Sequence, residues 1–124
     1  MDVCNILAVD DEPSVAQSLA FVFSRPKCRL VSACDGRDAL TKIAHATATF
    51  DVIITDNAMP RMPGLELVRQ LRSEQFSGKI IVLSAHLSAE QQAEYERLKV
   101  DLILTKPFDI RELRQAVEHL AVAA

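Results

Sequence analysis

The residues best suited to chemistry stand where short apolar runs stop. Ile6-Leu7-Ala8-Val9 runs into Asp10-Asp11, Val52-Ile53-Ile54 is followed by Thr55-Asp56, and Leu102-Ile103-Leu104 precedes Lys106-Pro107. If those runs are buried parallel strands, all three break points lie at the strands' carboxyl ends, the edge of an α/β sheet where ligands bind. Three carboxylates and one ammonium group then meet at one place, which suits a hard cation and a phosphoryl group.

Apolar periodicity supplies the elements that would carry them there, because strand-like runs alternate with longer helix-like stretches along the chain. The first strand is read near Asn5–Val9. Glu12-Pro13-Ser14 opens a helix, since proline is tolerated in a first turn where its missing N–H costs nothing. Val15, Leu19, Val22 and Phe23 make its inward stripe, and Arg25-Pro26 ends it. Phe21 falls off that stripe, so packing against a neighbouring helix is expected of its ring, with an exposed contact as the alternative. A second strand near Arg29–Ala33 mixes polar and apolar residues, as an edge strand does. Asp35-Gly36 then turns the chain into a helix bearing Ala39, Leu40, Ile43 and Ala44.

Val52–Thr55 is the third strand, and Met59-Pro60-Arg61-Met62-Pro63-Gly64 forms a stiff loop before a helix with Leu65, Val68 and Leu71. Ile80-Ile81-Val82-Leu83, led by Lys79, reads as a strand covered on both faces and ending at Ser84. From Ser88 to Lys99 the chain is polar, anchored by Ala89, Ala93, Tyr95 and Leu98, which predicts the most loosely held helix of the fold. Tyr95 is weighed as Phe21 is, packing first and contact second. A fifth strand lies near Leu102–Leu104. Asp109 with Glu112 gives a capping-box-like start to the last helix, whose inner face is Ile110, Leu113, Val117 and Leu120. The pattern is (βα)₅, a doubly wound, flavodoxin-like three-layer sandwich around a parallel five-stranded sheet. The strand order 2-1-3-4-5 is borrowed from known folds of this kind.

A chain of 124 residues fits one domain, 1–124. With 49% hydrophobic and 25% charged residues it can bury an ordinary core. The net charge of -3, with 14 scattered basic residues, argues against direct nucleic-acid binding. No apolar run approaches membrane-spanning length and Met1-Asp2-Val3 is no basic signal start, so a cytoplasmic protein without membrane partners is expected. Cys4, Cys28 and Cys34 lack metal-ligand spacing and are read as core or near-core thiols.

Taken together, Val9-Asp10-Asp11-Glu12-Pro13, Thr55-Asp56 with Met59-Pro60 and Pro63-Gly64-Leu65-Glu66-Leu67, Leu83-Ser84-Ala85, and Lys106-Pro107-Phe108 resemble the CheY-like receiver domain of two-component response regulators. The resemblance spans essentially the whole chain. It implies that Asp56 is the phosphoacceptor. It further implies a Mg²⁺ site, with Mn²⁺ as an alternative ion, formed by Asp11 directly, Asp10 through water, one oxygen of Asp56 and the backbone carbonyl of Ala58. Ser84 matches the hydroxyl switch that turns toward the phosphoryl group, Lys106 pairs with another phosphoryl oxygen, and the Lys106-Pro107 bond is a cis candidate. The bland readings are a helix cap at Asp10-Asp11, a solvated loop at Asp56 and an ordinary strand end at Ser84. Their joint appearance, in order and with Lys106-Pro107, favours the site.

Three positions depart from the pattern or vary within it. Where relatives often carry a switching aromatic, three residues before the lysine, this chain has Ile103, which offers neither a large lever nor a hydroxyl. The positions that tune dephosphorylation in relatives are Ala58 and His86; Ala58 cannot orient a water, and His86 is expected in solvent. His45 and His119 read as surface residues.

The resemblance implies a phosphodonor, a sensor histidine kinase or histidine phosphotransfer protein, and an unidentified downstream protein target. Signalling would run through the face of the fourth helix, fifth strand and fifth helix, in a monomer or a dimer formed through that face. The chain is expected to be a signalling module rather than an enzyme, either standing alone or excised from a larger regulator. Two competing readings are a phosphorylation-independent interaction module and a small phosphohydrolase. Retention of Asp10, Asp11, Asp56, Ser84 and Lys106 argues against the first. Ala58, where a phosphohydrolase would want a second carboxylate, argues against the other.

Overall fold

In the computed structural model, which describes residues 4–23, 28–47 and 49–122, strands and helices alternate through five βα units. The strands are β1 Cys4–Val9, β2 Cys28–Ala33, β3 Val52–Asp56, β4 Lys79–Ser84 and β5 Leu102–Thr105. The helices are α1 Pro13–Val22, α2 Gly36–His45, α3 Gly64–Ser73, α4 Ala89–Arg97 and α5 Ile110–Val122. All neighbouring strands are parallel, in the order β2-β1-β3-β4-β5. The polar mix in β2 thus falls at an edge of the sheet, as its composition requires. The Arg25-Pro26 terminator lies outside the described residues.

Each central strand is apolar at consecutive positions because both faces of the sheet are covered. Leu7, Val9, Ile53, Ile80 and Val82 pack on one face with Ala39 of α2, Leu67, Val68 and Leu71 of α3, and Tyr95 of α4. Ile6, Ala8, Val52, Ile54, Ile81 and Leu83 pack on the other with Leu19 of α1, nearby Phe23, and Leu113 and Val117 of α5. Alternation of Cβ direction along a strand divides the residues this way.

Several local expectations need correction. Phe21 is 81% exposed, because α1 turns it away from the sheet, whereas Tyr95 is fully buried, in line with its packing reading. Cys4 and Cys28 are register partners in β1 and β2 and pack at the rim of the core, but Cys34 is exposed in the turn after β2. Burial, then the charges of Asp51 and Cys28, push the Cys4 thiol up to about 11, so it is a poor nucleophile at neutral pH. A reciprocal capping box is present at α4, where Ser88 accepts from Gln91 N–H and Gln91 accepts from Ser88 N–H. At α5, Asp109 instead accepts from the nearer Arg111 N–H at 2.9 Å.

Candidate functional site

Parallel pairing carries three chain segments to the same sheet edge. β1 ends at Val9 against Thr55 of β3, and β3 continues to Asp56 opposite Leu83 of β4. Asp10 follows on from β1, and its N–H donates to Ala33 O of β2 at 3.0 Å. The result is a cluster in which one carboxylate oxygen each from Asp10, Asp11 and Asp56 lies within 4.8 Å of the others. Asp10 and Asp56 are buried, at 5% and 6% exposure, while Asp11 faces outward.

Lys106, brought in by β5, answers this charge. Its Nζ lies 2.9 Å from Asp56 Oδ1 and 3.6 Å from Asp10 Oδ2. Burial alone would lower its pKa, but the hydrogen bond to Asp56 and the charges of Asp10 and Asp56 outweigh it and the net shift is upward. Lys106 is therefore a fixed cation. Asp10 moves the other way from a normal carboxylate: burial raises its pKa, against a lowering by the Glu12 N–H that donates to Oδ1 at 2.9 Å. The charges of Asp56 and Asp11 add to the rise.

Asp10 Oδ2 is a buried oxygen with no hydrogen-bond donor, although Lys106 stands near it. Buried acceptors normally find a partner. A hard-oxygen donor set of three carboxylates with one such orphan fits a small divalent cation that keeps part of its water shell, the character of Mg²⁺.

Ser84 is buried at the end of β4, in register with Thr105, and its Oγ accepts from His86 N–H at 3.1 Å. Its carbonyl accepts from Lys106 N–H at 2.7 Å, so the two residues share one stretch of this edge. The Lys106-Pro107 peptide bond is cis. Ala58 and His86 are exposed at the rim, and Ile103 is half-buried on the α4 side of the sheet. His45 is exposed on α2, its Nδ1 2.8 Å from Thr41 O, and His119 is exposed on α5.

Three features escaped the sequence reading. Asn57 is buried next to Asp56 and accepts a hydrogen bond from the Tyr95 hydroxyl. Thr55 is buried, and its hydroxyl donates to Asp56 O at 3.0 Å. Arg61, with φ of 66°, reaches from the loop after β3 to the buried Asp35, 2.5 Å from its Oδ2. Asp35 also caps α2 by accepting from Asp38 N–H at 2.8 Å. A polar residue directly after Asp56 was the available signal for Asn57. The Arg61–Asp35 pair joins residues of two different loops and left none.

Comparison with known proteins agrees with this geometry. Residues 6–118 match the family model described as the response regulator receiver domain. The response regulator MprA of Mycolicibacterium vanbaalenii is 39% identical over 108 residues, covering 87% of this chain and 46% of its own length. The alkaline phosphatase synthesis transcriptional regulatory protein PhoP of Bacillus subtilis is 33% identical over 115 residues, covering 93% of this chain and 47% of its own. This chain thus spans about half the length of these curated relatives. Among solved structures, the receiver domain of Francisella response regulator 1452 superposes with a TM-score of 0.87 at 34% identity, covering 97% of this chain and 98% of that one.

Proposed function

The chain belongs to the response regulator receiver domain family, and on that premise we propose that residues 1–124 act as one phosphoacceptor unit with Asp56 as the nucleophile. The observation that carries this reading is the ion pair of Lys106 with Asp56 beside the buried, donor-free oxygen of Asp10. Asp10, Asp11 and Asp56, with the Ala58 carbonyl, would hold Mg²⁺ or Mn²⁺. When bound, the ion would neutralise charge between an anionic carboxylate and an anionic phosphoryl group.

The remaining work belongs to the chain's own groups. Asp56, held by β3 and buried, offers one carboxylate oxygen for attack on phosphorus. In that step a P–O bond to Asp56 forms while the P–N bond of a donor phosphohistidine breaks, and the departing imidazole takes a proton. Lys106 stays protonated and pairs with the transferred oxygens, as a preorganised cation should. The Ser84 hydroxyl would leave His86 N–H and turn toward the new group, shifting a pre-existing equilibrium toward the signalling state. The output surface is the face of α4, β5 and α5.

The donor is read as a sensor histidine kinase or histidine phosphotransfer protein, the target as a protein rather than nucleic acid, and the setting as cytoplasmic. Among the described residues no helix is long and apolar enough to cross a membrane. The module signals rather than turns over a substrate. Ala58 and His86, both at the rim, set the lifetime of the phosphorylated form. An Ala58→Asn, His86→Ala double variant should decay at a different rate, and unchanged decay would sink that assignment.

The central test is intact-protein mass spectrometry after incubation with acetyl phosphate. Gain of one phosphoryl group with Mg²⁺, absent without it and absent in Asp56→Asn, is expected. A folded protein that binds Mg²⁺ yet gains no mass would favour a phosphorylation-independent interaction module or strict dependence on a protein donor.

A further inference from the structure

Tyr95 is fully buried on α4, a helix made mostly of polar residues. Its hydroxyl donates to Asn57 Oδ1 at 2.5 Å, joining two residues 38 positions apart. Asn57 follows Asp56 directly, and both of its backbone groups are already engaged. Its N–H donates to Leu83 O at 2.9 Å, and its carbonyl accepts from Gly64 N–H at 2.9 Å. The segment beginning at Asp56 is thus gripped from β4, from the start of α3 and, through a side chain, from α4. Space is equally restricted: a Cβ on Gly64 would collide with the Asp56 carbonyl oxygen and stand 3.1 Å from the Tyr95 hydroxyl. Burial, and after it the charge of Asp56, push the Tyr95 phenol well above its usual range, so it remains a neutral donor.

We propose that Tyr95 is a positioning residue that transmits the state of Asp56 to α4 through Asn57. The inference rests on the phosphoacceptor reading. A group added to Asp56 must be accommodated by the segment that continues into Asn57, whose main chain is held on both sides. The Asn57 amide is the part of that segment bonded to α4. Breaking its bond would leave a buried hydroxyl and a buried amide oxygen unsatisfied, so displacement of Asn57 draws Tyr95 along instead. Ile103 carries no hydroxyl, and Tyr95 supplies a polar handle on the neighbouring element.

The test is hydrogen–deuterium exchange across residues 89–97 in the native chain, Tyr95→Phe, Asn57→Leu and the double variant, with and without Mg²⁺ and acetyl phosphate. Phosphorylation of the native chain should change α4 exchange by about fivefold, the scale of one hydrogen bond. In Tyr95→Phe, which keeps the ring, the change should drop below about twofold although the mass gain persists. The double variant should resemble either single one, as expected for residues acting through one bond. A variant that is merely less stable would exchange faster in both states and keep the native difference, which overturns the proposal. A native chain that gains the phosphoryl group without any α4 response overturns this proposal alone. A native chain that gains no phosphoryl group from acetyl phosphate or from a phosphohistidine protein donor overturns the phosphoacceptor reading and this one with it.

Discussion

Lys106 and Asp10 have opposite electrostatic problems at the same carboxylate cluster. Lys106 neutralises Asp56 and at the same time competes with any cation for it. Lys106→Met should therefore bind Mg²⁺ several-fold more tightly by calorimetry, yet accept phosphate from acetyl phosphate about 10²-fold more slowly, the usual loss when a preorganised charge stabiliser is removed. The raised pKa of Asp10 means that the folded chain holds a proton where the unfolded chain, near 3.8, has released it. Stability from this group is greatest below that value and falls as pH rises through the folded pKa. Its charge is thus a cost at neutral pH, and Asp10→Asn should raise the urea midpoint in EDTA. An unchanged or lower midpoint would contradict this. Lys106 has the same sign of pH dependence, although there the charged form is the favoured one: its contribution is complete below the unfolded value of 10.5 and is lost as pH rises through the higher folded one.

At the scale of elements, α4 is held by polar fastenings more than by apolar area. Beyond Tyr95 and the Ser88 capping box, its end is tied down by Arg72 of α3. That guanidinium donates to Leu98 O, Lys99 O and Phe76 O, each at 2.9 Å. Arg69 adds an exposed pair with Glu94 at 3.4 Å, which contributes little in solvent. Arg72→Ala should cost roughly 2 kcal/mol, the worth of charge-assisted bonds to carbonyls, and should speed exchange in α4 more than in α5. Ser88→Ala should cost about 1 kcal/mol. The expectation that α4 is the most loosely held helix stands as a hydrogen-exchange prediction, and α4 emerging as the best-protected helix would refute it. Such a helix is well suited to respond to a site, since elements that move are drawn from the less stable parts of a fold.

For the whole molecule, ion binding and folding are linked through the carboxylate edge. Because Asp10 and Asp11 stand in the loop that follows β1 and Asp56 ends β3, the cluster exists only when these two strands are paired. Mg²⁺ at about 100 times its dissociation constant should then stabilise the fold by about 2.7 kcal/mol, an effect that EDTA removes. Asp11→Ala should abolish most of that increment in thermal unfolding without changing the fold. An equal Mg²⁺ effect in Asp11→Ala would place the ion elsewhere.

The sequence by itself determined the parallel (βα)₅ architecture, because consecutive apolar residues in Ile80–Leu83 can be satisfied only by burial on both faces, and the stripe of Leu113 and Val117 only by packing on one of them. It also determined the candidate residues, since Asp10, Asp11, Asp56 and Lys106 each stand at the end of an apolar run. What their side chains touch was decided in three dimensions. Whether Phe21 was covered and Tyr95 exposed, or the reverse, depended on which helix faces met the sheet, a matter of packing between segments distant in the chain. The Tyr95–Asn57 and Arg61–Asp35 pairs are likewise tertiary. Each joins residues with no periodic relation, and only the assembled sheet edge brings them within bonding distance.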